Sequence, residues 1–142
     1  MSFRIEAATL AHIPAMHAVR LVVRENRLSD PARITEESYR RYVVAGSAWV
    51  AVGADRAVLG FAVVDRTHAG VWALFVHPDR EGAGIGRALH DTLLDWAQRQ
   101  GLATLWLTTA PGTRAEQFYL NAGWRKTGSS PAGEIRFERP LR

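Results

Sequence analysis

The stretch Val71-Trp72-Ala73-Leu74-Phe75-Val76-His77-Pro78-Asp79-Arg80-Glu81-Gly82-Ala83-Gly84-Ile85-Gly86-Arg87-Ala88-Leu89 decides the fold of this chain. Residues 71–76 are apolar throughout, the pattern of a strand covered on both faces. Gly82, Gly84 and Gly86 follow, and a helical stripe starts at once: Ile85, Leu89, Leu93, Trp96 and Ala97 share one face of a helix over 84–100 that Gly101 ends. Glycines allow positive φ and a close approach of backbone to ligand. The helix N-terminus adds free N–H groups and a partial positive charge, which suits phosphate. Arg80 and Arg87 flank the turn and can add charge-assisted contacts.

Spacing excludes two common phosphate sites. Arg87-Ala88 stands where a P-loop needs Lys followed by Ser or Thr. The glycines read G-x-G-x-G, not the G-x-G-x-x-G of a dinucleotide fold, and they lie mid-chain. A glycine-rich helix entry that binds nothing is the structural alternative.

Working outward, residues 48–52 and 58–65 read as strands joined by a turn at 53–56, and the turn at 66–70 leads into the central strand. Upstream, residues 3–7 form a strand, and Thr9 caps a helix over 10–27 with Ile13, Met16, Val19 (or Arg20) and Val23 on one face. Pro14 implies an early kink or a later start. Ser29-Asp30-Pro31 breaks that helix, and Thr35-Glu36-Glu37 opens a second one reaching Val44. Downstream, 103–109 is a buried strand. Thr113-Arg114-Ala115-Glu116 is a capping box for a short helix to Ala122, and strands near 124–127 and 134–138 close the chain. The order β-α-α-β-β-β-α-β-α-β-β contains a central βαβ unit, hence a right-handed crossover between locally parallel strands, within a mixed sheet.

Length and composition fit one domain over residues 1–142. Hydrophobic residues are 47% and charged residues 23%, as in ordinary soluble proteins. No apolar run is long enough for a membrane span, and the first residues lack a secretory h-region, so a cytoplasmic location is the simplest reading. There is no cysteine, which removes disulfides, thiolate nucleophiles and any acyl-cysteine intermediate. The net charge is +4, and all of the positive side chains are arginine except Lys126. The arginines are scattered and read as solvated surface charge, so a nucleic-acid partner is not expected. His12 and His17 have no carboxylate to complete a metal set. His68 and His90 read as exposed, His77 as structural or exposed, and the five tryptophans as core, with Trp72 the one placed to touch a substrate.

The run Val76-His77-Pro78 with Glu81-Gly82-Ala83-Gly84-Ile85-Gly86-Arg87-Ala88-Leu89 resembles the signature motif of the GNAT superfamily of N-acetyltransferases. Phe118-Tyr119-Leu120-Asn121-Ala122-Gly123-Trp124 resembles that family's second cofactor segment, in the same order and separation. The resemblance implies an α/β (α+β) GNAT fold: a mixed, mostly antiparallel twisted sheet of six or seven strands, about four flanking helices, and a splayed central parallel pair. It implies acetyl-CoA as acyl donor, no metal, and a primary amine of a small molecule or peptide as acceptor, attacked directly while both substrates are bound. Homodimers are common in that family. Leu74, Phe75 and Val76 would line the pantetheine arm, and Glu81, Gly82, Ala83, Gly84, Ile85, Gly86 and Arg87 the pyrophosphate. The Val76 N–H would polarise the thioester carbonyl. Tyr119 would protonate the departing thiolate; an ordinary core aromatic is its alternative reading.

Two positions depart from the family pattern. Glu81 replaces a usual Gln or Arg, so its side chain is expected to turn outward. Gly112 replaces a frequent asparagine and removes one polar contact to the cofactor. For the general base, Glu25 near the end of the first helix competes with a solvated role beside Arg20 or Arg24, and with a water chain. Arg20, Arg24 and Arg27 near the acceptor cleft would favour an acidic acceptor. A catalytically weak or inactive acyl-CoA-binding sensor of the same fold is the alternative to an enzyme.

Overall fold

The computed structural model describes residues 2–23 and 34–141. Strand β1 (Phe3–Ala7) leads through a 3-10 turn (Leu10–His12) into helix α1 (Ile13–Val22). Pro14 falls at the start of α1, where a missing N–H costs nothing, so the helix begins later than Thr9 alone suggested. Val23 is already extended, so the helix stops short of the expected Arg27. Residues 24–33, which carry the remainder of that expectation and the Ser29-Asp30-Pro31 break, lie outside the described residues.

Helix α2 (Glu37–Ala45) ends on Gly46 in the left-handed region, and β2 (Ala48–Gly53), β3 (Val58–Asp65) and β4 (Gly70–Val76) form a meander. Helix α3 (Ile85–Arg99), β5 (Thr104–Thr109), α4 (Arg114–Asn121), β6 (Arg125–Ser129) and β7 (Ile135–Pro140) complete the order. At α4 the Thr113 hydroxyl accepts from the Glu116 N–H, while the Glu116 carboxylate reaches back to the Gly112 N–H at 2.7 Å. The capping box thus closes one residue earlier than its usual form.

The sheet order is β1-β2-β3-β4-β5-β7-β6. Every neighbouring pair is antiparallel except β4 and β5, which are parallel. Two apolar layers cover it. On one face α1 and α2 bury Ile13, Met16, Val19, Tyr39 and Tyr42 against Val50, Phe61, Val63 and Ala73. On the other, Ile85, Leu89, Leu93 and Ala97 of α3 pack on Ala62, Val64, Leu105 and Leu107, and Tyr119, Trp124 and Phe137 extend that layer. Each fully buried leucine there contributes about 1.5–3 kcal/mol.

Two features of β4 position the site. Val63 and Val64 oppose Ala73 and Val71, so Trp72 is one residue extra, a β-bulge. The bulge turns Trp72 and Ala73 to the same face, with the α1–α2 layer, while Val71 and Leu74 join the α3 layer. Second, β4 meets β5 at a single residue pair, Gly70 with Trp106, beside the Trp106 N–H to Ala69 carbonyl bond of 3.1 Å. Beyond it the strands diverge. The Trp106 indole packs closely on Gly70, where a Cβ would lie 3.1–3.3 Å from it.

The divergence corrects one expectation. The apolar run 71–76 looked buried on both faces, yet only Gly70 and Ala73 in β4 are fully buried. In β5 burial alternates, and only Leu105, Leu107 and Thr109 are fully buried.

Candidate active site

The slot between β4 and β5 runs toward the glycine turn. Pro78–Arg80 form a 3-10 turn capped by the His77 imidazole, which accepts from the Asp79 N–H at 3.1 Å. His77 therefore has a structural role. Gly82 and Gly84 have φ of +83° and +84° with open space where a Cβ would stand. Backbone conformation, and not crowding, demands glycine at both. Gly84 is the N-cap of α3, so the N–H groups of Ile85, Gly86 and Arg87 begin a helix whose orphan donors face the turn.

Gly86 lies where three elements meet: its Cβ would stand 3.5 Å from Val76 and 3.8 Å from Phe118. The end of β4, the first turn of α3 and helix α4 are thus in van der Waals contact. Leu74, Phe75 and Val76 occupy the last turns of β4 and are half-buried. Glu81 turns to Arg114, the first residue of α4, at 3.3 Å. Arg87 pairs along its own helix with Asp91 at 3.4 Å. Arg80 instead lines a depression of about 390 Å³ with Ser2, Asp55 and Leu59.

Tyr119 on α4 is 5% exposed, its ring against Phe118 at 5.2 Å and Trp124 at 5.4 Å. Burial pushes its phenol well above the ordinary tyrosine range, so it stays protonated. Thr109, at the far end of β5, is 3% exposed, and its hydroxyl has no hydrogen-bond partner among the described residues. Such a group on a strand bounding the slot fits a polar arm lying between the strands. Gly112 has φ of +74° and spends its N–H on Glu116. Glu25, with Arg24 and Arg27, lies outside the described residues.

Sequence reasoning misread one buried residue and left a second open. His90 is buried at 2% exposure, not exposed; its Nε2 accepts from the Trp124 indole N–H at 2.9 Å, and burial holds its pKa below the usual imidazole range. Arg20, offered both among the scattered arginines and as an alternative to Val19 on the apolar face of α1, is 8% exposed. Its place on the stripe Ile13, Met16, Val19 was the available signal: a charge on a core-facing position needs a reason. Among the described residues, no group of His, Cys, Asp and Glu is arranged to hold a metal ion, and no helix is long and apolar enough to cross a membrane. Trp72 is half-buried and lines an open depression of about 630 Å³ with Glu37, Ser38, Arg40 and Arg41 of α2.

The site thus combines a parallel strand pair that diverges beyond Gly70 and Trp106 with a glycine-rich entry into α3. Comparison with known proteins gives the class. The sequence pattern of the acetyltransferase (GNAT) family matches residues 16–124. Over 109 residues the chain is 31% identical to the peptidyl-lysine N-acetyltransferase YjaB of Escherichia coli K12, covering 75% of this chain and 68% of that one. The crystal structure of a GNAT-family acetyltransferase from Staphylococcus aureus Mu50 superposes with a TM-score of 0.86 at 18% identity, covering 99% of this chain and 100% of that one. The PaiA N-acetyltransferase of Thermoplasma acidophilum, solved in complex with coenzyme A, gives 0.79 at 15% identity and 99% coverage of each. The chain belongs to the GNAT acetyltransferase family and is an acyltransferase.

Proposed function

We propose that the chain transfers the acetyl group of acetyl-CoA to a primary amine of a small molecule or peptide, by direct attack while both substrates are bound. The observation that carries this reading is the lone Gly70–Trp106 pairing, which leaves the inner edges of β4 and β5 without a strand partner in front of the glycine turn. The Thermoplasma relative's complex with coenzyme A supports the donor, and the activity named for the E. coli relative supports an amine acceptor.

In this reading the thioester of the bound donor supplies the acetyl group. The backbone of Leu74, Phe75 and Val76 holds the donor's arm as a neighbouring strand would, with the Thr109 hydroxyl an added polar contact. The backbone N–H groups from Glu81 to Arg87 hold the pyrophosphate, and the Glu81 carboxylate is kept off it by Arg114. The Val76 N–H donates to the thioester oxygen, where negative charge grows during attack. Tyr119 donates its phenolic hydrogen to the sulfur as the bond to carbon breaks and recovers a proton from water before the next turnover. The amine's proton leaves through Glu25 or ordered water, and orientation in the slot provides much of the rate.

Calorimetric titration of acetyl-CoA into wild type and Gly84→Glu tests this, with circular dichroism to verify folding. Binding to wild type that the variant loses is expected. Absence of binding by folded wild type would refute the donor assignment.

A further inference from the structure

Among the described residues, Arg20 is a buried cation without an anion. Its guanidinium lies over the Trp72 ring at 4.7 Å from the centroid and near the Phe75 ring at 5.0 Å. Among the described residues its hydrogen-bonding partner is the Tyr39 hydroxyl, itself 2.8 Å from His17 Nδ1. Nε and Nη1 are buried with no hydrogen-bond partner among those residues. Desolvation depresses the guanidinium pKa, but an arginine keeps its charge at any working pH. Aromatic faces offset part of the desolvation cost. They leave the in-plane N–H donors unsatisfied, and no described carboxylate pairs with this residue.

Position distinguishes this group from the donor site. Arg20 belongs to the α1–α2 side of the sheet, reached through the bulged residue Trp72 and through Phe75. The glycine turn leads into α3, whose apolar face covers the opposite side. An anion bound at Arg20 is therefore not the pyrophosphate held by the turn. It still lies one residue from Val76, since Phe75 carries one of the two rings.

We infer that Arg20, seated on Trp72 and Phe75, receives a carboxylate of the acceptor, so that the preferred amines carry a carboxyl group. This rests on the reading that the chain acylates amines. The carboxylate can belong to a free amino acid or to an acidic side chain beside a peptide lysine.

Paired acceptors separate these sources: leucine against leucinamide, and a blocked Glu-Lys dipeptide against blocked Gln-Lys, each with acetyl-CoA. A kcat/KM about 10- to 100-fold higher for the acid of one pair is expected, the range of a hydrogen bond to a charged group. Arg20→Met, which keeps the apolar stem, should bring that ratio close to one, and Arg20→Lys should restore part of it. A binding readout independent of turnover uses thermal melting at constant ionic strength. N-acetyl-leucine or the acetylated Glu-Lys peptide should raise the wild-type Tm more than its amide counterpart, and Arg20→Met should abolish the difference. Equal rates and equal Tm shifts for acid and amide in both pairs with wild type would overturn the inference, even if Arg20→Met fails to fold. Loss of acetyl-CoA binding in calorimetry would instead sink the acyl-transfer reading, while the Tm comparison would still report on Arg20.

Discussion

Glu81 and Arg114 stand 3.3 Å apart, and the pair ties the glycine turn to the first residue of α4. The carboxylate is the one negative side chain in the turn itself, and the pairing draws it toward α4. Both side chains are substantially exposed, so the pair adds little to folding. Its consequence is electrostatic.

Glu81→Gln removes a negative charge beside the proposed pyrophosphate. The acetyl-CoA dissociation constant should fall about 2- to 5-fold at low ionic strength, the scale of an exposed charge interaction. The gain should vanish toward 1 M salt, where the Debye length is about 3 Å. Weaker binding by the variant would mean that the Glu81 side chain organises the turn in a way its charge does not explain.

Tyr119→Phe keeps the ring that packs on Phe118 and Trp124 and deletes only the hydroxyl. The expected result is a kcat lower by about 10²- to 10⁴-fold with acetyl-CoA affinity unchanged. Alkaline pH supplies a second reading. The folded-state pKa of Tyr119 is raised, so its contribution to stability is complete below the unfolded value of about 10 and is lost as pH rises beyond it. Urea midpoints at pH 8 and pH 11 should fall more for wild type than for the variant. Tyr39 shifts in the same direction in both proteins and cancels in the comparison.

His90 gives the mirror case at acid pH. Burial lowers its folded pKa, and its Nε2 is committed as an acceptor to Trp124. Below the unfolded value of about 6.5 the unfolded chain takes up a proton that the folded chain refuses, so stability falls with pH there. Urea midpoints between pH 7.5 and pH 5 should decline more steeply for wild type than for His90→Gln. Identical slopes would assign the acid sensitivity to other groups, His17 among them.

Gly60→Ala tests how β4 is supported. A Cβ on Gly60 would stand 2.8 Å from the Phe75 carbonyl, 3.2 Å from Leu89 and 3.3 Å from Ile85. Because Gly60 pairs with Val76, relief of that clash must move the end of β4. We expect a loss of about 2 kcal/mol in urea unfolding, as for overpacked cores, together with weaker acetyl-CoA binding. A stable variant with unchanged affinity would show that β4 has slack at this point.

The parts of the molecule legible in the sequence are those whose cause is local. Thr113 and Glu116 marked the start of α4 because a capping box is written within four residues. Gly82 and Gly84 marked the turn because positive φ leaves few alternatives. The half-exposure of Leu74 to Val76 was not legible, since an apolar strand reads the same whether protein or ligand covers it. His90 was misread because its cover comes from Trp124 and Phe118, distant in the chain and close only after folding. Arg20 was half-legible: its helical position was on the page, but only the packed rings of Trp72 and Phe75 reveal that its charge is buried. The roles assigned to Glu25 fall on residues 24–33, outside the described part of the chain.

Among the described residues the strands form two ladders, β1–β4 and β5–β7, whose backbone pairing meets only around Ala69, Gly70 and Trp106, with α3 packed across both. Backbone groups along the open seam must find partners in water until something fills it. A molecule lying in the seam would act as a rivet, joining the two ladders into a continuous plate. Its grip would be felt as slower hydrogen exchange along both lips and as greater cooperativity when the whole plate melts.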